Sequence, residues 1–305
     1  VRLAVCGLGR LGAALAESLA AHGHDVTGWN RTPRELPGLG AARTAADAAR
    51  EAEAVVVAVF DGGAARSVLL GPAGVTAGAA PGTLVINVTT LAPDESRRLA
   101  HEVRGAGLRY LEAPVAGSVP AVRSGSLRVF VGGTAEDALA AEPVLLPWSH
   151  AGSRRLVGPV GDASALKLVA NLALGIAASG LHDAVRLGAG LGLAREDVLD
   201  VLQKGAFGPL VAGKRRRLSS GSGAYDAADF TVAALAKDLA LATAAVDEPL
   251  AGAVAAARLV GRMAERDGDL DIAALGGAPP HMAARAERES REGEGKGKGA
   301  AADVT

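Results

Sequence analysis

The chain has a single cysteine, Cys6, among 305 residues, so no internal disulfide can hold it together. That fits a reducing, cytoplasmic setting. A formal net charge of −1 leaves no global field to attract nucleic acid or an anionic membrane surface. The six histidines show no metal-ligand spacing, so no metal site is expected. Aromatic residues are scarce and alanine and glycine abundant, which implies closely packed helices. No long uninterrupted apolar run is present either. The longest apolar-rich stretch, 163–181, carries Lys167 and Asn171, so a buried helix is expected there and not a membrane span. The chain as given enters a strand at once, so no cleaved leader is expected.

What is present begins in the first twelve residues. Leu3-Ala4-Val5-Cys6 reads as a short buried strand. It runs into Gly7-Leu8-Gly9-Arg10-Leu11-Gly12, then into an apolar-periodic helix over 11–21. A lone G-x-G-x-x-G is a weak signal, because glycines also mark ordinary turns. Strand, glycine loop and helix in that order form a dinucleotide-binding arrangement. Gly7 allows a tight turn, Gly9 lets a pyrophosphate approach the backbone, and Gly12 lets the helix pack close to the strand. The helix N-terminus supplies free N–H groups and the positive end of its dipole.

A second strand over 24–29 closes the βαβ unit, and its end selects the cofactor. An NAD site places an acid there; this chain has Trp29-Asn30-Arg31-Thr32-Pro33. Arg31 can pair with a 2′-phosphate, and Asn30 and Thr32 can donate hydrogen bonds, so NADP(H) is favoured over NAD(H). The plain alternative is a solvated turn with one surface arginine.

Alternation of strands and helices continues. Strands are expected at 54–60, 83–88, 109–112 and 127–131, and helices at 41–52, after the Asp61-Gly62-Gly63 break through Leu70, and at 93–105. This pattern predicts an α/β Rossmann-type doubly wound parallel sheet. After Gly161 the pattern turns helical, with helices at 162–187, 195–203, 230–246 and 251–266. Three segments result: a nucleotide-binding domain over 1–160, an all-helical substrate and dimerisation domain over 161–275, and a disordered tail over 276–305. The 162–187 helix is apolar on nearly every face, which predicts a homodimer or homotetramer.

Lys167 and Asn171 stand four residues apart and share a helix face. The residues alone leave two readings open: a boundary lysine with a solvated head, or a lysine pointing into a polar cavity.

Several stretches together resemble one family, the β-hydroxyacid dehydrogenases. This group includes 3-hydroxyisobutyrate dehydrogenase and shares its architecture with 6-phosphogluconate dehydrogenase. The matching stretches are the 7–12 loop, Thr89-Thr90-Leu91-Ala92-Pro93, Ala113-Pro114-Val115-Ala116-Gly117-Ser118 and its sequel Ser124-Gly125-Ser126-Leu127. Residues 161–171, Lys237-Asp238-Leu239 and Gly268-Asp269-Leu270-Asp271 complete the set. The resemblance implies an oxidoreductase acting on a small hydroxyacid, with Lys167 transferring the proton and Asn171 orienting it. It implies that Thr89, Gly117, Ser118 and Lys237 meet the substrate. It adds Phe60, Thr89 and Lys237 to the cofactor contacts Gly7, Leu8, Gly9, Arg10, Leu11, Gly12, Asn30, Arg31 and Thr32. Asp238 is expected to support structure.

The chain also departs from the family pattern. Ala116 stands where Ser is usual, Ser118 where Gly is common, and Asn87 and Glu112 where Asp is usual. Ala163 and Ala170 replace a Gly and an Asn. These changes put the usual small substrates in question. Two other functions stay open: an imine reductase of the same fold, and a cofactor-binding protein without turnover. Imine reductases usually lack Lys at the position of Lys167, which speaks against the first.

Overall fold

A computed structural model describes residues 1–220 and 228–277. The chain opens with β1 (Arg2–Cys6), α1 (Arg10–Ala21), β2 (Asp25–Trp29), β3 (Gly40–Ala41), α2 (Ala45–Ala49) and β4 (Ala54–Val57). It continues with α3 (Gly62–Leu70), β5 (Leu84–Asn87), α4 (Pro93–Gly105), β6 (Arg109–Glu112) and β7 (Val115–Ala116). Then come α5 (Val119–Arg123), β8 (Arg128–Gly132), α6 (Ala135–Leu145) and β9 (Arg154–Gly158). The helices α7 (Asp162–Gly190), α8 (Arg195–Lys204), α9 (Gly208–Ser220), α10 (Val232–Ala244) and α11 (Ala251–Asp267) complete the order.

The strands form one sheet in the order β3-β2-β1-β4-β5-β6-β8-β7, with β9 paired to β8. Every pair from β3 to β6 is parallel, and β8 runs antiparallel to β6 and β7. The unbroken apolar runs have a simple cause. Leu3 and Val5 of β1 join one core cluster, while Ala4 and Cys6 join the other. In β4, Ala54 and Val56 divide from Val55 and Val57 in the same way. A strand covered on both faces has no solvent side and therefore no alternation. Burial pushes the Cys6 thiol up to about 12, so it is an inert packing group.

Register brings the functional ends together. Cys6 lies beside Trp29 and Val57, Val57 beside Asn87, and Asn87 beside Glu112. The loops after β1, β2, β4 and β5, and the carboxylate of Glu112, therefore share the carboxyl edge of the sheet, where open α/β sheets bind ligands.

Several local readings change. The helix expected over 41–52 is only Ala45–Ala49: Thr44 caps it by accepting from the Asp47 N–H, and Gly40–Ala41 pairs with β2 as a strand. The β4 strand ends at Val57, short of Phe60. The short strands β3 and β7, the short helix α5, the edge strand β9 and the helix α9 carry no clear periodic signal. His182, half-buried on α7, hydrogen-bonds through Nδ1 to the Leu275 carbonyl at 2.7 Å. A 3-10 turn, Ile272–Gly276, is buried, and Arg195 donates to the Gly276 carbonyl at 2.6 Å. The tail expected over 276–305 therefore begins too early, since Gly276 is buried in that turn; the residues beyond Gly277 lie outside the described residues.

The chain divides into two compact units. Among the described residues, one holds Val1–Leu172 and Asp238–Pro249; the other holds 173–237 and 250–277. The division falls inside α7, not at the 158–161 loop where the composition changes, because the first turns of α7 are hydrogen-bonded to β6. Among the described residues, α7 alone is long and apolar enough to cross a membrane. Its opening turns carry buried, hydrogen-bonded Lys167 and Asn171, as a core helix does. In the second unit, Asp271 is fully buried. It accepts from the Asp229 and Ala273 N–H groups and from Lys214 Nζ, all at 2.9 Å.

Candidate functional site

Two constructions meet the sheet's carboxyl edge within the first unit. The first is the glycine loop. Gly7 has φ +102, and a Cβ there would come within 2.3 Å of the Ala58 carbonyl oxygen. A Cβ at Gly12 would lie 1.9 Å from the Gly7 oxygen. Both glycines are demanded by the protein's own packing. Gly9 is different: its φ of −66 suits any residue, and a Cβ there would meet nothing within 4 Å. Its missing side chain leaves open space at the N-terminus of α1, the positive end of the helix dipole. A pyrophosphate fits that cradle.

Around the loop, Leu8 is buried and its N–H donates to Asn30 Oδ1 at 2.9 Å. Asn30 Nδ2 donates to the Thr32 carbonyl at 2.8 Å, so the Asn30 amide braces the loop against the end of β2. Arg34 Nη1 donates to the Leu8 carbonyl at 2.6 Å, a second brace that sequence reasoning missed. Arg31 and Thr32 are exposed beside them, and Arg10 is exposed at the start of α1. Leu11 packs half-buried on the core. Phe60 is 53% exposed beyond the end of β4. Thr89 is buried, and its Oγ1 accepts from the Val59 N–H at 3.2 Å, tying the exits of β4 and β5. Asn87 steadies that exit by accepting from the Thr89 N–H at 3.0 Å and donating to the Tyr110 hydroxyl at 2.9 Å. Burial raises the Tyr110 phenol to about 12, so it stays neutral.

The second construction is the opening of α7. Lys167 is 6% exposed and Asn171 3%. Lys167 Nζ donates to Asn171 Oδ1 at 2.8 Å. Asn171 Nδ2 donates in turn to Asp238 Oδ2, and Asp238 is also buried. The amide cannot be flipped: an ammonium needs its oxygen and a carboxylate needs its NH₂. Asp238 is thus the third member of a buried relay, a role its sequence neighbourhood did not disclose. The helical spacing of Lys167 and Asn171 was the legible part; Asp238 is 67 residues further along the chain. Lys237, the residue before it, is half-buried.

The 113–118 stretch supplies the remaining candidates. Gly117 is exposed with φ +132, and a Cβ there would strike the Leu127 side chain at 2.7 Å. Ser118 precedes α5, and its hydroxyl makes no cap hydrogen bond to that helix. Ala116, half-buried in β7, offers no hydroxyl. A separate cleft of about 600 Å³ in the helical unit is lined by His182, Asp183, Arg186 and Arg266 among others, and by none of these candidates.

Comparison with known proteins places this geometry. Residues 2–158 match the NAD-binding domain of 6-phosphogluconate dehydrogenase. An uncharacterised oxidoreductase of Synechocystis sp. is 33% identical over 269 residues, 85% of this chain and 90% of that protein. The 3-hydroxyisobutyrate dehydrogenase of Pseudomonas aeruginosa is 33% identical over 215 residues, 68% of this chain and 70% of that one. A structure of Mycobacterium tuberculosis 3-hydroxyisobutyrate dehydrogenase with L-serine superposes with a TM-score of 0.75 at 27% identity, covering 90% of this chain and 97% of that one. The glycine cradle, the family match over half the chain and these relatives lead to one conclusion: the chain belongs to the β-hydroxyacid dehydrogenase family, as a nicotinamide-dinucleotide-binding dehydrogenase acting on CH–OH groups.

Proposed function

We propose that the protein is an NADP(H)-dependent reductase and dehydrogenase. Its reaction interconverts a small carboxylate-bearing aldehyde or ketone with its hydroxyacid. The observation that carries this reading is the buried relay from Lys167 through Asn171 to Asp238. The nicotinamide, when bound, supplies or accepts the hydride. Reduction of a carbonyl leaves negative charge on oxygen, and Lys167 Nζ is the group that meets it with a proton; in oxidation the neutral amine accepts the hydroxyl proton. Asn171 fixes Nζ, and Asp238 fixes the Asn171 amide so that its oxygen keeps facing the lysine.

Gly117 and Ser118 present backbone N–H groups and a hydroxyl to the substrate carboxylate, with Thr89 beside them in the same unit; a role for Lys237 toward substrate or cofactor rests on the family resemblance alone. The L-serine carried by the M. tuberculosis relative is a small β-hydroxy acid, which supports a substrate of that class. Arg31, exposed at a strand end without an acid, favours the 2′-phosphate of NADP(H). Ile176 and Leu187 of α7 are 42% and 64% exposed, eleven residues apart on one helix face, which supports a homodimer or homotetramer covering them. The single inert cysteine suits a cytoplasmic setting.

The test is a panel of semialdehydes, ketoacids and cyclic imines with NADPH, followed at the reduced-nicotinamide absorbance. Turnover of carboxylate-bearing carbonyls is expected. Turnover confined to imines would move the protein to the imine reductases, and none at all would leave a binding protein. A monomer by light scattering at micromolar concentration would remove the assembly reading.

A further inference from the structure

The helix that carries Lys167 begins without a cap of its own. Gly161, the residue before it, has φ +106 and no side chain, and a Cβ there would strike the Arg97 guanidinium at 2.5 Å. The first N–H groups of a helix need acceptors. Here they find one on another strand. Glu112, at the end of β6 and 1% exposed, takes the Gly161 N–H at 2.7 Å, the Ala163 N–H at 2.9 Å and the Ser164 N–H at 3.3 Å, all on Oε1. Its Oε2 accepts the hydroxyls of Ser96 from α4 and Ser164 from α7, each at 2.6 Å. Five donors from three segments converge on one buried carboxylate. Gly132 on β8 makes the room: a Cβ there would lie 2.3 Å from Glu112 Oε1.

We infer that Glu112 is a positioning residue for the Lys167 proton-transfer group, acting through the first turn of α7. The inference rests on the role proposed above for Lys167. Ser164, held by both its N–H and its hydroxyl, stands three residues before Lys167 on the same helix face. Fixing Ser164 fixes the rotation and advance of the helix at Lys167. One turn beyond, Asn171 is held by Asp238. Lys167 therefore sits between two clamps, one on each adjacent turn. A carboxylate is the right group for the lower clamp. It can accept all five hydrogen bonds at once, and its charge favours a helix N-terminus.

The test compares Glu112→Ala, Glu112→Gln, the double variant Ser96→Ala/Ser164→Ala, and Lys167→Ala, each as the full chain. In Glu112→Ala the clamp is lost, and kcat should fall about 10- to 100-fold, the scale of a misplacement near 1 Å. NADPH Kd, read by fluorescence titration, should stay within about twofold, because the glycine loop is untouched. The solvent deuterium isotope effect on kcat should rise, since proton transfer is the step made slow. Glu112→Gln should recover most of the turnover: its oxygen accepts the three N–H groups, and its amide donates to the two hydroxyl oxygens. A carboxylate that serves stability alone predicts a lower Tm with kcat and isotope effect unchanged, and that result overturns the inference. If Glu112→Ala does not fold, the double variant decides, because it keeps the carboxylate and its three N–H bonds. Lower kcat at unchanged NADPH Kd supports positioning, and wild-type kcat overturns it. Lys167→Ala separates the two layers. Full turnover there removes the proton-transfer reading and this inference with it. Impaired Lys167→Ala beside unimpaired Glu112 and serine variants removes the positioning role alone.

Discussion

The 7–12 loop and the opening of α7 solve the same problem in opposite ways. Both present the N-terminal N–H groups of a helix at the carboxyl edge of one sheet. The loop does so by absence. Gly9 leaves open space at the positive end of the α1 dipole, where a ligand can approach the backbone. The α7 opening does so by occupation: Glu112 fills the helix N-terminus and takes three N–H groups for the protein itself. A helix end left open is a place to bind an anion, whereas a helix end closed by a buried carboxylate is a place to hold a side chain still. On the function proposed above, binding and proton transfer divide between the two ends accordingly.

The largest expected effect breaks the second end without touching the first. Lys167→Ala should lower kcat by roughly 10²–10⁴-fold. NADPH Kd should hardly move, because the glycine loop, the proposed phosphate site, is untouched. Lys167→Arg should rescue little, since a guanidinium stays charged and cannot exchange a proton near neutral pH. Measuring kcat and Kd on the same preparations checks it, and wild-type turnover in Lys167→Ala would dissolve the division of labour.

The two ends also differ in how far they can be read from sequence. The loop is contiguous, so strand, glycines and helix N-terminus appear in one line of text, and the buried strands beside it announce themselves by their apolar runs. Lys167 and Asn171 are legible as a pair because helical spacing is local. Asp238, Ser96 and Glu112 are not, because their roles exist only once α10, α4 and β6 have been packed against α7. Glu112 is visible in sequence only as an unusual acid; that it caps another helix follows from Gly161 having no side chain to do so. Asn30 and Arg34 teach the same lesson on a smaller scale. Their hydrogen bonds to Leu8 cross between two strand ends and leave no periodic trace. α9 escaped notice for a different reason. It opens on Gly208-Pro209 and carries Lys214 to Arg217 in an unbroken basic run, so no amphipathic stripe marks it.

A smaller effect is expected at the loop's rim. An arginine–phosphate contact is worth about 1.5–3 kcal/mol as a charge-assisted hydrogen bond. Arg31→Ala should weaken NADPH binding by roughly ten- to a hundredfold and leave NADH binding nearly unchanged. Equal losses for both nucleotides would detach Arg31 from the 2′-phosphate. Turnover with saturating NADPH should persist, because the α7 clamps are untouched.

The smallest and most discriminating change is a single methyl at Gly9. Gly12→Ala gives the contrast: its Cβ would lie 1.9 Å from the Gly7 carbonyl oxygen, so the helix must shift, at a cost of about 1–3 kcal/mol in stability. Gly9→Ala meets nothing in the protein, and its backbone is already in a conformation any residue adopts. The folded state loses nothing, while the unfolded chain loses freedom. Stability should therefore hold or rise, by up to about 0.4–1 kcal/mol. Nucleotide affinity should fall all the same, and equally for NADPH and NADH, because the methyl occupies the space a pyrophosphate would enter and neither the 2′-phosphate nor Arg31 is involved. Thermal unfolding without ligand and titration with both nucleotides settle the matter on one protein sample. A Gly9→Ala variant that unfolds early would show that this glycine serves the fold, as Gly7 and Gly12 do. One that binds both nucleotides as tightly as the parent would show that the open space at the start of α1 is not where the phosphates go.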